Sequence, residues 1–323
     1  MRVRKDVTQL TEQEKRDFVD AILKLKHRPS PWNPKLSYYD QFVWWHTNAF
    51  DCQIDAAHMW PSFLPWHRKL LMLFENALRK VSGKPITIPY WDWTDPNATA
   101  AVFSPDFFGG GGDPKHGYAV TTGPLRKGKW RFNVLGPKLN DPYQRRYLVR
   151  DLGSSIATTL PTAEQVNEAL ARPRYDYPPY DIKANIKYSF RNFLEGWRHA
   201  KGMKCIKGTT VPLVTLQDPQ QMHNRVHLWV GGAWDLKRKK PRAGSMVLNA
   251  SPNDPVFWLH HANIDRIWSE WERIHGEVYE PRSGLPNGKN LNDTMWPYRT
   301  IGIETTIAQL LDIRKLGYRY SAP

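Results

Sequence analysis

Residues 251–276 read SPNDPVFWLHHANIDRIWSEWERIHG, and the fold turns on this stretch. Asp254-Pro255 carries a helix-start signature: a short acceptor side chain, then a residue whose missing N–H costs nothing in a first turn. Gly276 supplies the stop. Between them Phe257, His261, Ile264, Trp268 and Trp271 recur at helical period on one apolar face. The neighbouring His260 shares its face with polar Asn263, so His261 is the better candidate ligand of the two.

Upstream, MHNRVHLWVGG places His223 and His227 four residues apart, so that on a helix they point the same way and can share one metal ion. Asp218-Pro219 repeats the helix-start signature ahead of them. Alone, such a pair is equally consistent with histidines satisfied in a core or facing solvent. Three more histidines, His46, His58 and His67, lie further upstream at spacings of 12 and 9 residues. Six imidazoles in two sets of three are hard to explain by packing. His27, His116, His199 and His275 sit in charged or glycine-rich surroundings and are expected at the surface.

The rest of the chain supports a mainly helical protein with a few short strands. Thr11 and Glu14 form a capping-box pattern ahead of Phe18, Ile22 and Leu25. Tyr38 to His46 reads as a helix, Pro65 fits the first turn of another that stops at Ser82-Gly83, and Thr162 with Gln165 opens a short one. The stretches 109–114, 123–136 and 175–179 are rich in glycine and proline and read as surface loops. None resembles an interdomain linker, so residues 1–323 are taken as one domain.

Composition narrows the function. Hydrophobic residues make up 41% and charged residues 24%, which excludes disorder across the whole chain. Cys52 and Cys205 are too few for a disulfide framework and form no CxxC motif, leaving one bridge or two buried thiols. The start MRVRKDVTQL carries charge throughout, without the apolar run of a secretory signal, and no window is long and apolar enough for a membrane span, so a cytoplasmic location is expected. The net charge of +15 includes a basic run from Lys237 to Arg242, read as a solvated loop rather than a nucleic-acid site because no recognition motif accompanies it.

Ligand type limits the metal. Imidazole suits copper, zinc, iron and nickel. Glu-x-x-His occurs once, at Glu272 to His275, where a di-iron carboxylate bundle needs one on each of two helices, and no cysteine adjoins these histidines in sequence, which disfavours blue copper. Three imidazoles per metal leave coordination positions open, and two such metals side by side can hold a diatomic ligand between them. With copper that ligand is oxygen; with zinc the site would be a hydrolase.

These residues resemble the tyrosinase and catechol oxidase family of type 3 copper proteins, most closely its bacterial tyrosinases. The resemblance runs through AAHMWPSFLPWHRKLLMLFE around His58 and His67, IPYWDWT from Ile88 to Thr94, FRNFLEGW from Phe190 to Trp197, MHNRVHLWVGG, SPNDPVFWLHHANIDRIW and KLGYRY from Lys315 to Tyr320. It implies a central four-helix bundle around two copper ions, the first held by His46, His58 and His67 and the second by His223, His227 and His261. It further implies that Glu195 and Asn224 hold a water that takes the phenolic proton. Phe257 would lie at the mouth of the site, as a stacking surface for a phenol or as core, and Val247 and Leu248 would border the substrate entrance.

The activity so implied is hydroxylation of monophenols to o-diphenols and oxidation of these to o-quinones with O2. The alternatives are an oxidase restricted to o-diphenols or o-aminophenols and, outside enzymes, a haemocyanin-like oxygen carrier. A phenol and O2 are the implied partners; no nucleic acid or membrane is, a homodimer stays open, and a copper-loading helper is not specified. Several positions depart from the family pattern. Ala56 stands where fungal and plant members carry a cysteine cross-linked to a histidine, so no thioether is expected. Leu228 replaces an arginine common in bacterial relatives, residues 198–220 look like an insertion, and with Pro323 shortly after YRY no shielding domain is expected.

Overall fold

The computed structural model describes residues 1–323 except 51–56, 137–144, 154–156, 198–202, 207–208, 213–221, 233, 236–239, 242–243, 248 and 323, with backbone only at 203–206, 209–212, 234–235 and 240–241. The described helices start where capping chemistry supplies acceptors for their first N–H groups. Helix α1 (Glu12–His27) opens with the Thr11 and Glu14 side chains reciprocally capping each other's backbone N–H, and α2 (Tyr38–Asn48) opens on the Ser37 side chain. Helix α3 (Phe63–Ser82) ends on Gly83, whose φ of 69° is the left-handed conformation a side chain would disfavour. Helices α4 (Pro96–Val102), α5 (Ala163–Leu170) and α6 (Phe190–Glu195) are capped by Asp95, Thr162 and Ser189.

Helix α7 (His223–Gly231) has no side-chain cap and begins at its first histidine; Asp218-Pro219, the expected start, lies outside the described residues. Helix α8 (Val256–His275) keeps the expected bounds, with the Asp254 carboxylate accepting from the Val256 N–H at 3.2 Å. Strands are few. β1 (Arg2–Arg4) pairs in parallel with β6 (Tyr318–Tyr320), while β2 (Met203–Ile206) with β3 (Thr209–Pro212) and β4 (Trp234–Asp235) with β5 (Lys240–Pro241) form short antiparallel pairs. The β2–β3 pair falls in the stretch that looks like an insertion. Among the described residues no helix is long and apolar enough to cross a membrane.

Helix α3 packs against both α1 and α8, and aromatic rings fill the seams. Phe74 of α3 stacks on Trp258 of α8 at 3.6 Å, while Tyr39 and Phe42 of α2 meet them edge-on. Helices α2, α3, α7 and α8 thereby turn their histidines toward one interior point.

A buried charge network locks the register of α3 against α8. Arg68, next to His67, bonds Asp265 at 2.6 Å and Glu272 at 3.0 Å. Asp265 also meets Arg4 at 3.2 Å and accepts from the Tyr318 and Tyr320 hydroxyls at 2.7 and 2.6 Å. Both strands near the chain ends are thus tied to the helix that carries His261. Asp265→Ala would leave Arg4 and Arg68 buried with too little opposing charge, and is expected to cost about 3–5 kcal/mol in urea unfolding of the metal-free protein. A cost near zero would show that the network adds no stability.

Candidate metal centre

His46 on α2, His67 on α3 and His58 on the bend preceding α3 are each at most 3% exposed, with ring centroids 5.0 to 5.6 Å apart. Nδ1 of His46 lies 2.7 Å from the Asn249 carbonyl oxygen and Nδ1 of His67 2.8 Å from that of Phe63. A carbonyl only accepts, so each Nδ1 carries the proton and each Nε2 keeps a lone pair. Those two Nε2 atoms are buried without a hydrogen-bond partner. His58 is oriented differently: its Nδ1 has no partner, and Phe50 stacks on its ring at 4.0 Å.

The second set sits on α7 and α8. Nδ1 of His227 donates to the Met246 carbonyl at 2.6 Å and Nδ1 of His223 to Oδ1 of Asn224 at 2.9 Å. Their Nε2 atoms then face each other at 3.0 Å, and Nε2 of His261 lies 3.3 Å from that of His223. Two lone pairs at that distance with no proton between them repel. A cation bound about 2 Å from each nitrogen removes the conflict, and these separations suit one. The sets adjoin, with the His67 and His261 rings stacked at 4.1 Å.

Burial lowers every member's pKa, reinforced by neighbouring imidazoles at all but His227, where the Met246 carbonyl and Asp254 pull the other way; His46 falls to about 3 and His227 to about 4, and His58, His67, His223 and His261 lie well below the usual value. Neutral rings are the form that binds a metal. In the unfolded chain the same histidines take a proton near pH 6.5. The unfolded state therefore binds more protons below that value, and the metal-free protein is expected to lose stability steadily as pH falls from about 6.5 toward about 4. Thermal unfolding across that range checks this; a flat midpoint would mean that the rings are not held neutral.

Two sequence expectations change. His260 and Asn263, read as a polar face, are both fully buried, because α8 is covered on nearly all sides. The His260 ring stacks on His223 at 5.0 Å, and its ligand atoms join those of His223, His227 and His261 within 4.8 Å. Helical phase therefore does not separate the two, and of the pair it is His261 whose Nε2 lies 3.3 Å from that of His223. His275 is half-buried rather than exposed, with Nε2 2.8 Å from the Leu170 carbonyl, because the last turn of α8 packs on α5. His27 and His116 are exposed, and His199 lies outside the described residues.

Glu195, the last residue of α6, is fully buried. One oxygen accepts the Met59 N–H at 2.6 Å and the other pairs with Arg191 at 3.1 Å. Burial pushes its pKa up to about 7, against the pull of Arg191 and the Met59 amide. Nδ2 of Asn224 is buried and unpartnered. Phe257 is fully buried, 4.2 Å from the His261 ring and 4.9 Å from that of His46, in the layer between the two sets. Val247 is half-buried in a short turn packed on Gly231, where a β-carbon would meet its side chain at 2.5 Å. Leu248, Ala56, Cys52 and the basic positions 237–239 and 242 lie outside the described residues, as does the side chain of Cys205.

The main-chain carbonyls of Phe63, Met246 and Asn249 that orient three imidazoles carry no signal in the sequence. Arg191 does, standing four residues before Glu195 on the same helical face.

A mainly helical protein that gathers two adjoining sets of buried, neutral imidazoles, with ligand nitrogens facing one another, has the donor groups that suit a dinuclear metal site. The profile for the common central domain of tyrosinase matches residues 36–274. The chain is 39% identical to the tyrosinase of Streptomyces antibioticus over 321 residues, covering 97% of both proteins. The fold is similar to a polyphenol oxidase mutant from Thermothelomyces thermophila (TM-score 0.65, 24% identity, 100% of this chain and 89% of that one). It is also similar to a functional unit of octopus haemocyanin (TM-score 0.57, 20% identity, 100% of this chain and 68% of that one). The chain belongs to the tyrosinase family. It is a copper-dependent oxidoreductase that oxidises phenols with O2.

Proposed function

We propose that each set holds one copper ion, His46, His58 and His67 the first and His223, His227 and His261 the second, and that the enzyme both hydroxylates monophenols and oxidises the resulting o-diphenols to o-quinones. The observation that carries this is the pair of adjoining imidazole sets, with the His223 and His227 Nε2 lone pairs facing at 3.0 Å. When bound, the copper pair supplies redox chemistry toward O2. The chain supplies the proton handling and the substrate's orientation.

A monophenol arrives as a neutral acid with a pKa near 10, like tyrosine, and must lose its proton to become a good ligand and nucleophile. Glu195 is suited to accept it, through a water. A carboxylate that accepts from Met59 and Arg191 has acceptor capacity left for a water, and one lifted to about 7 is poised as a base near neutral pH. The Nδ2 of Asn224 is a donor able to hold that water, its amide turned by the bond from His223. Phe257 offers a flat apolar wall beside both sets, and Val247 with Leu248 would flank the entrance.

The deciding experiment is copper analysis together with O2 uptake on a monophenol and on catechol. Two coppers per chain with uptake on both substrates is the expected result. Uptake on catechol alone would restrict the enzyme to diphenols, binding of O2 without quinone would make it a carrier, and zinc in place of copper would remove the proposal.

A further inference from the structure

Of the six imidazoles assigned to copper, His58 stands on neither helix nor strand, and its Nδ1 has no hydrogen-bond partner. Its direction rests on the stacked Phe50 ring and on its own backbone. The next residue, Met59, is fully buried and adopts φ 65°, a left-handed conformation that side chains rarely take and that persists only where the surroundings impose it. The Met59 N–H donates to Oε1 of Glu195 at 2.6 Å, across 136 residues of sequence.

Glu195 is itself held. Its other oxygen pairs with Arg191 at 3.1 Å, and Arg191 pairs with Asp176 at 2.8 Å and donates to the Asp181 carbonyl at 2.9 Å. Asp176 in turn accepts from the Ser189 hydroxyl at 2.7 Å. The side chains of Asp176, Arg191 and Glu195 are all completely buried. From the same stretch of chain, the Tyr175 hydroxyl donates to the Pro61 carbonyl at 2.5 Å, pinning the bend a second time.

We propose that Glu195 is a positioning residue for the first copper: steered by Arg191 and Asp176, it holds the Met59 amide in the left-handed turn that aims His58 at the other two imidazoles. The proposal rests on the first set binding copper and is separate from any role of Glu195 as a base. It gives Glu195, which lies on α6 beside the helix of His223 and His227, a mechanical hold on the opposite set.

Two substitutions separate reach from charge. Glu195→Asp keeps the charge that Arg191 needs but withdraws the oxygen from Met59; Glu195→Gln keeps the reach and an acceptor oxygen but loses the charge. Each is introduced into full-length His227→Ala, where the first set is the only complete one, and into His46→Ala, where the second is. Copper is then titrated into the metal-free proteins. In the His227→Ala background Glu195→Asp is expected to weaken copper binding about 10–100-fold, the scale for groups that orient a metal ligand, and Glu195→Gln much less. In the His46→Ala background neither should alter binding. The proposal is overturned if Gln weakens the first set as much as Asp, if Asp weakens both sets alike, or if Asp leaves the first set untouched. A parent half-site protein that binds no copper removes the metal assignment, and the proposal with it.

Discussion

His261→Ala is expected to abolish O2 uptake with every phenol and to leave the protein folded with its second set emptied of copper. The loss should reach at least about 1,000-fold, because groups that act as one unit fail together when one is removed. The second group holds His260 beside the three imidazoles assigned to copper, its ligand atom within 4.8 Å of theirs. His260 makes this a sharper test than any other of the six, since it lies in the same buried group as His261. If His260 can step in, His261→Ala will retain its full copper; if it cannot, His260→Ala alone will keep both copper ions while His261→Ala loses one set. Metal analysis beside O2 uptake on the two variants decides, and retained turnover in His261→Ala would take that residue out of the site.

The second large effect is expected at Glu195, where glutamine should slow monophenol oxidation about 100-fold to 10,000-fold, the range for removing a general base. Glutamine matches the buried shape and still accepts the Met59 amide, but it cannot take a proton. A diphenol is easier to deprotonate and oxidise, so its rate should fall less. The pH profile supplies a second criterion. A base with a pKa raised to about 7 works only when ionised, so wild-type monophenol oxidation should climb as pH rises through about 7, and the Glu195→Gln residue of activity should lack that step. Both activities are to be measured on one preparation of known copper content. An equal fractional fall in the two would refute the base role and leave Glu195 as a positioning residue alone.

The residues themselves announced the helices and the six imidazoles. Capping boxes at Thr11 and Thr162 and the glycine stop after Ser82 are local chemistry, decided by side chains three or four positions from the backbone groups they satisfy. His223 and His227 were legible for the same reason, as one helical turn brings them together whatever the rest of the chain does. Resemblance to a known family then named copper, phenols and the ligand sets.

What lay beyond the sequence has one physical cause: burial and hydrogen bonding across long separations depend on which helices pack together. His260 and Asn263 read as a polar face, yet α8 is so enclosed that both are inside. The Nδ1 protons of His46 and His227, which leave each Nε2 free for a metal, are fixed by the main-chain carbonyls of Asn249 and Met246, and a carbonyl has no letter in a sequence. Glu195 could be read as an acidic residue in FRNFLEGW, but not as the acceptor of an amide 136 residues earlier. Sequence determined which groups are present and how neighbours along the chain are arranged; only the tertiary structure decided which nitrogens lose their water and face one another, and that makes histidines a metal centre.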